Sequence, residues 1–320
     1  MAVSDGLGIN PCNLCPRLCG ALREEGQRGS CGSTAQMRVA RAALHFWEEP
    51  PLSGNSGSGA VFLGGCPVHC VYCQNAVIAT GDVGCEVDVQ RLAQICLELE
   101  ERGALNVNFV TPTHHSLQIR AAVALARQRG LSLPVVWNTS GYERVEAIGA
   151  LAGTVDVYLA DFKYADSDLA WRYSHARNYP EVALDAIGAM AYQVGEPCFD
   201  EFVPPSGTAA GKTVPQRRMT RGVVVRHLLL PGQLDSSKRA LALLYSRFGD
   251  SVLYSIMNQY TPVISGDLLV RFPELGVPAD GDSYEELLDF ADDLGIQDYF
   301  WQDGPAAEES FIPAWDCEGV

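Results

Sequence analysis

The chain has 320 residues, 47% hydrophobic and 19% charged, a globular composition with enough apolar material for a large core and none of the marks of disorder. Its 23 Lys and Arg face 39 Asp and Glu, a formal charge of −16 that disfavours nucleic acids and anionic membrane surfaces as partners. No apolar run reaches the roughly 18 residues that span a bilayer, and the opening MAVSDGLGINPC has neither a basic nor an apolar leader segment, so a cytoplasmic protein is expected.

In chain order, residues 1–50 read as a small cysteine-rich module. Cys12, Cys15, Cys19 and Cys31 give C-x2-C-x3-C-x11-C, interleaved with Pro, Gly and Arg, and the strand-like stretch MRVARAALHFW follows. Four thiolates so spaced can close a tetrahedral zinc site or hold an iron–sulfur cluster. Clustered cysteines in a cytosolic chain of this size point to metal rather than to disulfides. The segment PPLSGNSGSGA, 50–60, reads as a loop or linker.

From there to about residue 265 six apolar runs recur: GAVFLGG (59–65), NVNFVTP (106–112), LPVVWNTSG (133–141), VDVYLADFKY (155–164), GVVVRHLLLPG (222–232) and SVLYSIMNQY (251–260). Amphipathic stretches such as VDVQRLAQICLELEERG (87–103) and LQIRAAVALARQRG (117–130) separate them. Runs apolar on both faces suit a parallel sheet covered by helices, and the alternation predicts an α/β fold, either an incomplete barrel or a doubly wound sheet. In both, functional groups gather at the carboxyl ends of the strands. The Pro- and Gly-containing stretch 197–220 reads as an inserted loop beside that rim, and 266–320 as a helical or irregular C-terminal extension.

The sharpest motif is Gly65-Cys66-Pro67-Val68-His69-Cys70-Val71-Tyr72-Cys73-Gln74-Asn75, a C-x3-C-x2-C loop between the first core strand and a helix. A fully ligated 4Fe–4S cluster normally takes four cysteines, so three leave one iron open to a small molecule. A three-cysteine zinc site with a ligand elsewhere is the plainer alternative.

Together with NVNFVTPTHH, WNTSGYE, VDVYLADFKYADSDLAWRYS, VVVRHLLLPG and MNQY, this loop resembles the radical S-adenosylmethionine superfamily over almost the whole chain. Within it the chain is most similar to the pyruvate formate-lyase activating enzymes and their PflX-type relatives. The resemblance implies a partial (β/α)6 TIM-type barrel. It implies that Cys66, Cys70 and Cys73 bind a catalytic 4Fe–4S cluster whose fourth iron chelates S-adenosyl-L-methionine. Reductive cleavage would then yield methionine and a 5′-deoxyadenosyl radical that abstracts hydrogen from a substrate. A protein glycine is the substrate suggested by the activating enzymes. An electron donor such as flavodoxin or ferredoxin is implied as a partner.

Other positions carry over by place in the motifs. Tyr72 matches the aromatic expected near the adenine, with loop packing as its alternative. Thr111, Thr113 and His114 of VTPTHH occupy the place of the family's Gly-Gly-Glu stretch, which this chain lacks; His114 and His115 can equally be structural. Asn138 stands where the activating enzymes carry an acidic residue, with Ser140 two positions on. Asp161 and Lys163 match an Asp-x-Lys pair, Lys163 reaching the methionine carboxylate unless the two merely neutralise each other. Asn75, Arg226 and Gln259 complete the cofactor-binding candidates. Cys96 lies on a helical apolar stripe and reads as core. The rival reading is a non-enzymatic iron–sulfur carrier or scaffold, which would need a fourth protein ligand on the central cluster.

Overall fold

The computed structural model describes residues 6–203, 215–302 and 312–320. Its strands are β1 (Met37–His45), β2 (Ser58–Leu63), β3 (Cys85–Val87), β4 (Val107–Val110), β5 (Val135–Thr139), β6 (Val157–Asp161), β7 (Cys198–Phe202), β8 (Gln216–Leu228), β9 (Leu253–Met257) and β10 (Tyr299–Phe300). They form one sheet in the order β10-β9-β8-β6-β5-β4-β2-β1-β3, with β7 paired to β8. The run β2-β4-β5-β6-β8-β9 is parallel throughout, and each member coincides with one of the six apolar runs. Among the described residues β3 and β10, at the two ends of the path, are not paired with each other, so the barrel is partial and open.

The strands form where they do because both faces are covered. Every residue of β2, β4 and β5 is buried. Helix Val89–Glu101 shows the complementary logic. Asp88 caps it by accepting the Arg91 backbone N–H, and Leu92, Ala93, Ile95, Cys96 and Leu99 recur at helical spacing on its buried face. Cys96 is fully buried there, a core residue as its stripe implied.

Three features depart from the sequence reading. Strand β1 is not confined to an N-terminal module: it pairs antiparallel with β2 and with β3, extending the main sheet. The stretch 197–220 is not simply a loop, since β7 and the first half of β8 form an antiparallel ladder from Phe202↔Gln216 to Cys198↔Arg221; of the expected insertion, 204–214 lie outside the described residues. Polar residues alternating on a two-stranded ribbon left no apolar run to flag it. The last residues return to the sheet: Cys317 N–H donates to Ala40 O, Ala42 N–H to Glu318 O, and a disulfide joins Cys317 to Cys85. Among the described residues no helix is long and apolar enough to cross a membrane.

Leu92 is inaccessible to solvent. Leu92→Ala is expected to lower unfolding free energy by about 2–5 kcal/mol in urea titrations, with an unchanged denaturant slope.

Candidate iron–sulfur site

Strand β2 ends in Gly64-Gly65, and Gly65 adopts φ +96°, turning the chain into the cysteine loop. His69, at φ +53°, bends it again before Cys70. The loop is fastened from outside by Val71 N–H to Tyr173 O (2.9 Å) and from within by Cys73 N–H to Cys70 O (3.1 Å). Two donors point at the sulfurs: Val68 N–H at Cys66 Sγ (3.4 Å) and Ser174 Oγ–H at Cys70 Sγ (3.1 Å). Burial pushes the Cys66 thiol up to about 11 and the Cys73 thiol up to about 12, with the neighbouring Cys70 adding to both. Thiolates in this setting therefore call for a cation, and metal binding would supply it.

The three cysteines line one wall of a cavity of about 210 Å³. The same cavity is lined by Thr111 just past β4, Asn138 and Ser140 at the end of β5, Asp161 and Lys163 at the end of β6, Arg226 from β8 and Gln259 beyond β9. Tyr72 and Asn75 line it from the cysteine loop itself. Tyr72 is also packed edge-on against Tyr164, Tyr173 and Tyr260, and its hydroxyl accepts from Tyr164 (2.8 Å), so its two readings coexist. A second cavity of about 120 Å³ shares Asn75, Asn138, Arg226 and Gln259 with the first and continues to His45, Trp47 and Glu48.

Two candidates do not reach the cavity. Thr113 is buried behind its wall and donates to Glu143 Oε1 (2.7 Å). His114 is buried too, with Nε2 against Gly64 O (2.8 Å), where it braces the turn before the cysteine loop. Thr111 explains this: its φ of +56° turns the chain into the short 3-10 helix Thr113–His115, which points these side chains into the packed interior. Glu143 also accepts from Thr139 (2.7 Å) and from the Trp137 indole (3.1 Å). Burial still holds its carboxyl above the usual range.

The electrostatic centre of the cavity is Arg226. Its guanidinium donates to Asp161 Oδ1 (2.8 Å), Glu48 Oε2 (3.1 Å) and Asn138 Oδ1 (2.6 Å). Glu48 in turn accepts from Asn108 and Asn138, each at 3.0 Å. Lys163 Nζ donates to Asp161 Oδ2 (2.6 Å), so the neutralising pair weighed from the sequence is formed, at the cavity wall. Burial pushes the Asp161 carboxyl up, but Arg226 and Lys163 outweigh it and hold the group below the usual range. For Glu48 and Glu49 burial wins over Arg226, and both titrate above it. Neither glutamate was legible as a site residue. HFWEEPP shows only an acidic pair before two prolines, whereas the fold buries both beside Arg226.

The residues fit an open-cornered cluster and a nucleoside ligand. The three cysteines and a set of polar side chains line one cavity, and Asn75 Oδ1 is buried with no hydrogen-bond partner among the described residues. Also among the described residues, no three His, Cys, Asp or Glu side chains converge as a mononuclear ion requires. A cubane cluster takes its thiolates at separate corners and does not ask for that convergence. The N-terminal cysteines lie apart from the cavity; Cys12, Cys15 and Cys31 are buried and Cys19 is exposed.

Residues 52–179 match the family model described as a 4Fe-4S single cluster domain, a stretch that includes Cys66, Cys70 and Cys73 but not the N-terminal four. An uncharacterized protein of Methanocaldococcus jannaschii is 27% identical over 294 residues, covering 89% of this chain and 75% of its own. Among solved structures, a radical SAM methyltransferase from Sphaerobacter thermophilus aligns at a TM-score of 0.47 and 15% identity, over 77% of this chain and 67% of its own. SuiB from Streptococcus suis, bound to precursor peptide SuiA, aligns at 0.46 and 10%, over 74% of this chain and 46% of its own.

Removing Arg226 leaves Glu48, its side chain 7% exposed, without its cation, and Asp161, 20% exposed, with Lys163 alone. Arg226→Leu is expected to cost about 3–5 kcal/mol in denaturant titrations. Because Asp161 titrates below its unfolded value, its stabilising contribution is complete above that value and drains as pH falls. The stability gap between the wild type and Asp161→Asn should therefore shrink on acidification from about pH 5 to about pH 2.

Proposed function

We propose that this chain is a radical S-adenosylmethionine enzyme. It would reductively cleave S-adenosyl-L-methionine to a 5′-deoxyadenosyl radical and take a hydrogen atom from a substrate. The observation that carries this reading is the cavity, lined both by three cysteines of one loop and by polar residues at the strand ends. A 4Fe–4S cluster held by Cys66, Cys70 and Cys73 supplies a low-potential electron and an open iron that can chelate an amino acid. A simple electron carrier has no use for a polar chamber beside its cluster.

The chain's own residues do the positioning. Ser174 and Val68 donate to cysteine sulfurs, which lowers the electron density there and tunes the potential. Lys163 keeps donors beyond its bond to Asp161 and offers them to the methionine carboxylate as a point charge. Asn75 Oδ1 and Asn138 present hydrogen-bonding groups to the nucleoside. Asp161, held ionised by Arg226 and Lys163, puts a carboxylate at the cavity lining, where it can face a cationic group such as a sulfonium. Arg226 is pinned on three sides and acts as the support that orients Asp161 and Asn138.

The second cavity, reaching His45, Trp47 and Glu48, is the place for the hydrogen donor. A glycine in a protein or peptide backbone is the substrate we favour, on the likeness to activating enzymes; a flavodoxin- or ferredoxin-class reductase would supply the electron. The four N-terminal cysteines add a second metal-binding set.

Anaerobically reconstituted protein, given S-adenosyl-L-methionine and dithionite, should release 5′-deoxyadenosine and methionine in equal amounts. A spectroscopically intact cluster with no 5′-deoxyadenosine would defeat the reading. Cys70→Ala should lose the central cluster's absorption and cofactor cleavage together. Lys163→Ala should keep the cluster but weaken cofactor binding about tenfold or more, the loss of one charge-assisted contact, by calorimetric titration.

A further inference from the structure

The N-terminal cysteine module is not a remote appendage. Its last cysteine touches the first cysteine of the central loop through the backbone: Cys66 N–H donates to Cys31 O at 3.0 Å. The contact is reinforced on both sides. Ser33 Oγ–H donates to Gly64 O (3.1 Å), and His69 Nε2 lies 2.9 Å from Ser30 O. Arg17, between Cys15 and Cys19, donates to Pro67 O (2.8 Å) in the central loop and to Ser174 O (2.9 Å), the residue whose hydroxyl points at Cys70.

The module is itself built around its sulfurs. A Cβ on Gly29 would stand 3.3 Å from Cys19 Sγ and 3.4 Å from Cys31 Sγ, so the chain leaves that space to the thiols. Arg23 is 1% exposed, and among the described residues its guanidinium meets only neutral groups: Thr34 O, His114 O, His115 Nδ1 and, at 3.6 Å, Cys12 Sγ. A buried cation without a carboxylate partner asks for an anionic group beside it. Four thiolates around a metal centre carry net negative charge and answer that need. Cys19 is the exposed corner, with Leu18 59% exposed next to it, so one edge of the module is open to a docking protein.

We propose that Cys12, Cys15, Cys19 and Cys31 hold a second 4Fe–4S cluster that relays single electrons from a surface-docked donor to the cluster at Cys66, Cys70 and Cys73 through the Cys31–Cys66 contact. The inference rests on the function proposed above for the central site. Each transfer oxidises a reduced flavodoxin-class donor by one electron, reduces the outer cluster, and then reoxidises it as the central cluster is reduced. The path from sulfur to sulfur is covalent except for one backbone hydrogen bond. A structural zinc in the same place could carry no electron.

The test compares three proteins reconstituted with iron and sulfide: wild type, Cys12→Ser/Cys15→Ser, and Cys66→Ala/Cys70→Ala/Cys73→Ala. Iron should be about eight, four and four per chain respectively, since each cluster contributes four. Dithionite-reduced wild type should show two paramagnetic signals broadened by mutual coupling, and each variant one. Reduction of the central cluster by reduced flavodoxin should slow severalfold in the Cys12/Cys15 variant. Cys19→Ser, altered at the exposed corner where misfolding is least expected, should change the outer signal and leave the central one. One zinc with about four irons in the wild type would overturn the proposal, as would an undiminished rate of reduction in the Cys12/Cys15 variant. Full wild-type iron in the Cys66/Cys70/Cys73 variant would instead sink the reading of the central site, and the relay with it.

Discussion

Much of this molecule hangs on the absence of a side chain at position 65. A Cβ there would fall 2.2 Å from Ser33 Oγ, 2.9 Å from Cys31 O and 2.9 Å from His114 Nε2, and the backbone is already in the left-handed region that glycine tolerates best. The strand end, the cysteine loop, the N-terminal module and the histidine brace all meet at this point. With no atom in the way, the carbonyl of Cys31 reaches the amide of Cys66, and the two cysteine segments are joined by a direct backbone contact. The same crowding recurs at the next layer. A Cβ on Gly32 would fall 2.1 Å from Thr80 O and one on Gly81 2.6 Å from Gly32 O, so the module's loop is clamped against both ends of the cysteine segment.

The polar wall is set by a different constraint. Lys163, Asp161, Arg226 and Glu48 form a chain of charged contacts within a parallel sheet, where desolvation penalises every ion. The chain is tolerable because each member has a partner of opposite sign and because Asn108 and Asn138 supply further donors to Glu48. Such an array has few ways to rearrange, and that is its functional value: dipoles and charges are fixed before a ligand arrives, so little reorganisation is left to binding or reaction.

The sequence carried the parallel core well, because a strand covered on both faces must be apolar throughout and nothing else in the chain looks like that. The cysteine loop was equally legible, since three thiols at that spacing have few uses. What escaped was set by long-range contact. β1 carries two arginines, Arg38 and Arg41, and reads as half-exposed; only the fold shows it paired on both edges. Glu48 and Glu49 look like surface charge until the chain returns Arg226 to meet them. Cys85 and Cys317, 232 residues apart, share no local signal.

Position-by-position transfer from a resemblance failed at one place for a definable reason. By the resemblance, VTPTHH stands in the place of Gly-Gly-Glu, which would make Thr111, Thr113 and His114 equivalent candidates. A left-handed residue at Thr111 followed by Pro112 starts a 3-10 turn at once, so alignment of the rim stops at Thr111 and the next three side chains go inward. The inward space is occupied by the buried carboxyl of Glu143, which needs hydroxyl and indole donors, and Thr113 is one of them. Had Thr113 faced the cavity, Glu143 would have lost a hydrogen bond in a setting that already holds its carboxyl above the usual range. The demand of a buried acid thus outweighs the place of a residue in the motif. Of the polar groups the resemblance points to on these strand ends, Thr111 and Asn138 are among those that do reach the cavity.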